Sequence, residues 1–166
     1  MTGKGAATAA VLTISDRASA GAMKDDSGPA VAKLLEAAGF EVAVLDVVPD
    51  DGARISAWLR ARAQAFDLLL TTGGTGLGAR DVTPEATAAV LDYEVPGLAE
   101  LMRQKGVRKT PLAALSRSRV GVRGRALIVN LPGSVKGATE SLEAVLPVLG
   151  HAVDQLKGRA GHSLNS

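Results

Sequence analysis

The sequence has no cysteine, which excludes disulfides, thiolate catalysis and Cys-ligated zinc and suits a reducing cytoplasm. Histidine is nearly as scarce. His151 falls in a helical pattern and His162 in a polar tail, both far from any motif, and both read as solvent-exposed. Acid–base or metal chemistry therefore falls to carboxylates. Aromatic residues are limited to two Phe, one Tyr and one Trp, so the core must be built from Val, Leu, Ile and Ala. The same shortage leaves little for unpaired bases to stack on. The net charge is only +2, and the basic group Arg117, Arg119, Arg123 and Arg125 is interrupted by apolar residues, as at strand edges. No nucleic-acid partner is expected, although a small anionic ligand fits the charge.

Long hydrophobic runs are missing as well. No stretch approaches the ~20 apolar residues of a membrane span, so no membrane association is expected. Lys4, the apolar run 6–14 and Ala18-Ser19-Ala20 imitate a secretory leader, but the run is short, contains two threonines and meets Asp16 and Arg17 at once. A buried first strand explains these residues better.

What is present is an ordinary globular balance over 166 residues, 46% hydrophobic and 22% charged. A chain of this size buries roughly 70% of its unfolded surface without metal or disulfide staples. Residues 1–157 are expected to form one domain, with a flexible tail at 158–166. Residues 8–15 read as a buried strand, followed by a polar loop over 16–27. Gly28-Pro29 opens a helix that carries Val31, Leu34 and Leu35 and stops at Gly39. A second strand covers 41–48, a turn 49–52 and a helix 53–65, the last with Ile55, Trp58 and Leu59 on one side. The unbroken Leu68-Leu69-Leu70 of a strand at 67–72 implies cover on both faces. Thr83 is expected to cap a helix that begins Pro84-Glu85. Residues 93–124 read less clearly, apart from the helical spacing of Leu98, Leu101 and Met102. A strand at 125–130 precedes a last helix marked by Leu142, Val145, Leu146, Leu149, Val153 and Leu156. This alternation predicts an α/β class fold, a three-layer α/β/α arrangement with a mostly parallel sheet. In such sheets the ligand sits beyond the carboxyl ends of the strands, and the loops 16–27, 49–52, 73–83 and 130–136 would share that rim.

The most distinctive loop is Thr71-Thr72-Gly73-Gly74-Thr75-Gly76, continuing to Arg80-Asp81-Val82-Thr83-Pro84-Glu85. Glycines after a buried strand allow positive φ and close approach of a ligand, and successive N–H groups form an anion-binding concavity. A plain tight turn is the alternative. Gly74, Gly76 and Ala79 also satisfy a dinucleotide-binding spacing, but the helix starts too late for it, and no Walker A frame surrounds Lys4 or Lys24. Asp50 and Asp81 end or follow loops on the same rim. Two carboxylates in a phosphate site call for a hard cation, and Mg²⁺ is held by one or two carboxylates plus substrate phosphates. Either Asp could instead cap a turn, and Asp51 competes with Asp50 as the ligand. Asn130-Leu131-Pro132-Gly133-Ser134 closes a strand and opens the last helix, another place for an anion or a polar heterocycle. Ser15-Asp16-Arg17 and Ser116-Arg117 are weaker groups, compatible with surface hydrogen bonds or a salt bridge.

Together these segments resemble the Mog/MoaB family, which includes the G domain of gephyrin and its plant counterpart. The matching pieces are Ser15-Asp16-Arg17-Ala18-Ser19-Ala20-Gly21, Val48-Pro49-Asp50-Asp51, Gly73-Gly74-Thr75-Gly76 to Glu85, Leu115-Ser116-Arg117 and Asn130-Leu131-Pro132-Gly133. The resemblance implies a homotrimeric molybdopterin adenylyltransferase of molybdenum cofactor biosynthesis. Such an enzyme moves AMP from ATP to the terminal phosphate of molybdopterin and releases pyrophosphate. By position, Asp50 and Asp81 match the two catalytic aspartates that handle Mg²⁺ and ATP. Ser15, Asp16, Gly73, Gly74, Thr75, Gly76, Ser116, Arg117, Asn130, Pro132, Gly133 and Ser134 match positions that hold substrate or nucleotide. A MoeA-type molybdenum-insertion enzyme is the implied partner. The alternative of another class is a MoaB-type molybdopterin-binding protein that does not adenylylate.

Overall fold

The computed structural model describes residues 5–158. Lys4, His162 and, apart from Gly158, the tail expected at 158–166 lie outside the described residues. The elements run β1 (Thr8–Ile14), α1 (Asp16–Ser19), α2 (Ser27–Ala37), β2 (Glu41–Val48), α3 (Gly52–Ala63), β3 (Leu68–Thr72) and α4 (Thr83–Ala88). They continue with β4 (Tyr93–Glu94), α5 (Pro96–Val107), a 3₁₀ turn (Pro111–Leu115), β5 (Val120–Arg123), β6 (Ala126–Leu131) and α6 (Val135–Leu156). The six strands form one sheet in the order β2-β1-β3-β6-β5-β4. The four strands β2, β1, β3 and β6 pair in parallel, while β5 and β4 are antiparallel additions at one edge.

Alternate side chains of the central strands supply two cores. Ala9 and Val11, Leu68 and Leu70, and Leu127 and Val129 point into a larger core with Leu35 of α2, Met102 of α5 and Leu142, Val145 and Leu149 of α6. Ala10 and Leu12, Leu69 and Ile128 point the other way, onto Ile55 and Leu59 of α3 and Ala86 of α4. Each fully buried Leu, Val or Ile contributes roughly 1.5–3 kcal/mol, so an aliphatic core suffices where aromatics are few. This two-sided burial is why β3 is a run of leucines and not an alternating strand.

Several expectations change in detail. The polar loop after β1 contains the short helix α1, whose N-cap Ser15 accepts from Ala18 N–H at 3.1 Å. Thr83 does not cap α4: it is the first helical residue, and its hydroxyl donates to the Gly73 carbonyl at 2.9 Å, tying the glycine turn to the helix start. His151 is half-buried on α6 and not fully exposed, because that long helix packs along its length. The unclear region 93–124 resolves into β4, α5 and the antiparallel β5. The β5–β6 hairpin turns on Gly124 at φ +59°, the left-handed position such short turns favour.

β1 leads to β2 on one side, whereas β3 returns to the other side of β1. The carboxyl ends of β1 and β3 thus frame a topological switch point, the place where sheets of this kind receive ligands.

Candidate active site

The glycine turn is built on close approach. Gly73 has φ +99° and Gly74 φ +69°, and a Cβ on Gly73 would lie 2.3 Å from the Ile14 carbonyl oxygen. A Cβ on Gly74 would meet Thr83 Oγ1 at 2.3 Å and Asp50 Oδ1 at 3.2 Å, which puts the Asp50 carboxylate directly against the turn. Gly133, in the loop after β6, packs against Gly73 backbone to backbone, with 3.2 Å between its notional Cβ and Gly73 Cα. Asp81 sits at the far end of the same loop, where its Oδ2 accepts from Gly78 N–H at 2.9 Å. Asp50, Asp81, Ser15, Gly73, Gly74 and Gly133 all line one polar cavity of about 390 Å³.

Asp50 is held by a reciprocal pair of bonds: Asp16 N–H donates to Asp50 Oδ2 at 3.0 Å, and Asp50 N–H donates to Asp16 Oδ1 at 2.9 Å. Asp16 in turn receives both Nε and Nη2 of Arg80 at 2.9 Å. That fork and the Asp50 N–H hold the Asp16 carboxyl below its ordinary value. Burial pushes the Asp50 carboxyl above its ordinary value, against the Asp16 N–H bond, and repulsion from Asp16 and Asp81 adds to the rise. Asp51 takes a different task, since its side chain caps α3 by accepting from Arg54 N–H at 3.1 Å. Of these two neighbours it is Asp50 that lines the cavity, together with Asp81, Asp25 and Asp26. Among the described residues no three His, Cys, Asp or Glu groups cluster as a metal site. The donor set instead suits a cation held by two carboxylates and completed by ligand phosphates.

A second cavity of about 490 Å³ lies across the glycine loop. Thr75, Gly76, Ser116 and Pro132 line it, together with Met102, Arg103, Lys105 and Lys109 from α5 and its following turn. The wall is largely apolar and carries charges of both signs, with Glu140 and Glu143 beside the cations and Lys109 paired to Glu140 at 3.4 Å. The expected site residues are thus split between two adjoining spaces. Asp16, Arg117, Asn130 and Ser134 line neither. Asn130 departs furthest from a ligand-contact role: it is fully buried, its Nδ2 donates to Thr71 and Thr87 hydroxyls at 3.0 Å each, and its Oδ1 accepts from Arg119 N–H. A side chain so committed cannot turn outward without orphaning buried partners. Ser134 caps α6, accepting from Gly137 N–H at 3.0 Å.

Sequence reasoning missed two groups. On the wall of the polar cavity, Thr13 donates to Asp25 at 2.8 Å and Ser27 bonds Thr72 at 2.8 Å, a hydroxyl network at the strand ends. Threonines closing apolar strands, followed by Asp25-Asp26-Ser27, were the available signal. The cations of α5 lay in the unclear segment, where the spacing of Leu98, Leu101 and Met102 already implied a helix that would carry them.

A three-layer α/β protein with glycine turn and carboxylates gathered at the switch point is the class these features define. The chain belongs to the family described as probable molybdopterin binding domain, which matches residues 10–151. It is 43% identical over 148 residues to a molybdopterin adenylyltransferase of Escherichia coli (strain K12), covering 86% of this chain and 75% of the relative. A molybdopterin adenylyltransferase of Helicobacter pylori (strain J99) is 41% identical over 155 residues, covering 89% and 86%. Among solved structures, the molybdopterin biosynthesis enzyme MoaB of Thermus thermophilus superposes with a TM-score of 0.87 at 55% identity, covering 92% of this chain and 97% of that one.

Proposed function

We propose that this chain is a molybdopterin adenylyltransferase of molybdenum cofactor biosynthesis, with residues 1–157 as its one domain. The observation that carries the reading is the meeting of Asp50, Asp81 and the Gly73–Gly74 turn in one polar cavity beside a second, largely apolar one. ATP places its phosphates against the glycine turn. The pterin lies in the apolar cavity, where Lys105 lines the wall toward its phosphate, while Arg103 is bonded to the Ser116 and Ser118 carbonyls and Lys109 to Glu140. An oxygen of that terminal phosphate attacks the α-phosphorus of ATP, a new P–O–P bond forms, and the bond to the β-phosphate breaks to release pyrophosphate. Asp50 and Asp81 would hold Mg²⁺, which when bound neutralises phosphate charge as the transfer proceeds. The protein's own part is positioning: Asp16 and Arg80 fix Asp50, and the turn holds the phosphates in line.

The names of the relatives support this activity, and the family's pattern supports a homotrimer working in the cytoplasm and passing its product to a MoeA-type molybdenum-insertion enzyme. The test is to combine the purified chain with ATP, Mg²⁺ and molybdopterin and to measure pyrophosphate. Stoichiometric pyrophosphate with adenylylated molybdopterin is expected. Tight molybdopterin binding without pyrophosphate would mean a binding module that does not adenylylate.

A further inference from the structure

By resemblance Arg117 is a ligand-contact position, but its bonds lead elsewhere. We infer that Arg117 is a positioning residue, a strut that braces the loop carrying Asp81 and ties it to the wall of the apolar cavity. Its backbone N–H donates to the Thr75 carbonyl at 2.9 Å. Its Nε donates to the Gly76 carbonyl and its Nη2 to the Asp81 carbonyl, each at 2.8 Å. Its Nη1 pairs with Glu85 in the first turn of α4. One side chain therefore grips the loop before Asp81, at Asp81 and after it.

The loop needs such a grip. Gly73, Gly74, Gly76 and Gly78 supply no side chains to pack, and Leu77 between them is 68% exposed. A planar guanidinium offers five donors in a rigid fork, so it can hold three acceptors at fixed angles where a lysine ammonium, a point charge on a flexible stem, cannot. The charge also holds the Glu85 carboxyl below its ordinary value, chiefly through their hydrogen bond. On its other side Arg117 is flanked by Ser116 and Ser118, which line the apolar cavity and whose carbonyls accept from Arg103 Nη1 at 3.3 and 2.9 Å. The wall of one cavity and the carboxylate of the other are thus parts of one hydrogen-bonded piece. The Arg117 fork is the link between them, bonded to the Gly76 and Asp81 carbonyls.

This inference rests on the adenylyl-transfer reading for its kinetic arm. The experiment compares wild type with Arg117→Lys and Arg117→Ala, measuring kcat, the KM for ATP, molybdopterin affinity and amide hydrogen exchange. The Lys variant is expected to lose about 10²-fold in kcat, the cost of misplacing a reacting geometry by about 1 Å. The KM for ATP and the molybdopterin Kd should stay within about twofold, because no ground-state contact is removed. Amides 76–81 should exchange about tenfold faster while those of β1 and β3 are unchanged. A raised Kd or KM with kcat retained would overturn the inference in favour of direct ligand contact. Unchanged loop exchange would overturn it too, and so would faster exchange across β1 and β3, which marks a fold-wide role. Should the Ala variant fail to fold, the Lys variant carries the comparison. Wild-type protein that releases no pyrophosphate would sink the adenylyl-transfer reading, while the exchange arm, which needs no turnover, still decides the strut.

Discussion

Asp81→Asn separates the charge of the loop carboxylate from its shape. Asp81 Oδ2 occupies space that only glycines leave open, since a Cβ on Gly76 or on Gly78 would lie 2.9 Å from it. The same oxygen accepts from Gly78 N–H at 2.9 Å. Asparagine can keep an oxygen on that N–H, so the bond, worth about 0.5–1.5 kcal/mol net, survives the substitution. Asp81→Ala loses it and should be less stable by about that amount. Removing one preorganised charge-handling group at a reacting centre costs ~10²–10³ in rate, equivalent to about 2.7–4 kcal/mol. Asp81→Asn should therefore show a turnover loss of that order at saturating Mg²⁺, with thermal stability unchanged or slightly raised. A rise is expected because Asp81 is one of the charges that push the Asp50 carboxyl upward. Molybdopterin should still bind. Pyrophosphate release at saturating ATP and Mg²⁺, paired with thermal unfolding, reads both quantities. Normal turnover of Asp81→Asn under those conditions would refute the two-aspartate mechanism, and a stability loss equal to that of Asp81→Ala would refute the shape argument.

Asp50 offers a pH test. Its folded-state value lies above the unfolded value of about 3.9, so the folded chain holds the proton more tightly, and stability falls as pH rises through the window between the two values. Asp50→Asn should raise the melting temperature at pH 7, with the gain fading below about pH 3.9; a lower melting temperature at pH 7 contradicts this account. Turnover should drop sharply in the same variant, measured by pyrophosphate release. Gly73→Ala combines a left-handed backbone, costing about 1–2 kcal/mol, with a clash of 2.3 Å against a backbone carbonyl that cannot step aside. Overpacking of that kind costs about 1–3 kcal/mol more, so urea unfolding should show a loss of about 2–5 kcal/mol; a loss under about 1 kcal/mol would mean the turn relaxes freely. Light scattering should give the mass of three chains, and a concentration-independent monomer would remove the homotrimer.

The sequence alone determined the elements whose signal is local. The two-sided burial of Leu68-Leu69-Leu70, the apolar stripe from Leu142 to Leu156 and the glycines after Thr72 each state their surroundings within a few residues. The parallel order of the first strands, and with it the common rim of the loops, followed from alternation. Tertiary structure decided what depends on partners distant in the chain. Whether Asp50 or Asp51 faces the cavity turns on which carboxylate meets the start of α3 and which meets Asp16, thirty-four positions away. Arg117 and Asn130 look like ligand contacts in their motifs, yet one is spent on carbonyls of the glycine loop and the other on buried hydroxyls. A motif records which residue types a place in the fold requires. Whether the requirement comes from a ligand or from the chain's own backbone is set by hydrogen-bond partners that only folding brings within 3 Å.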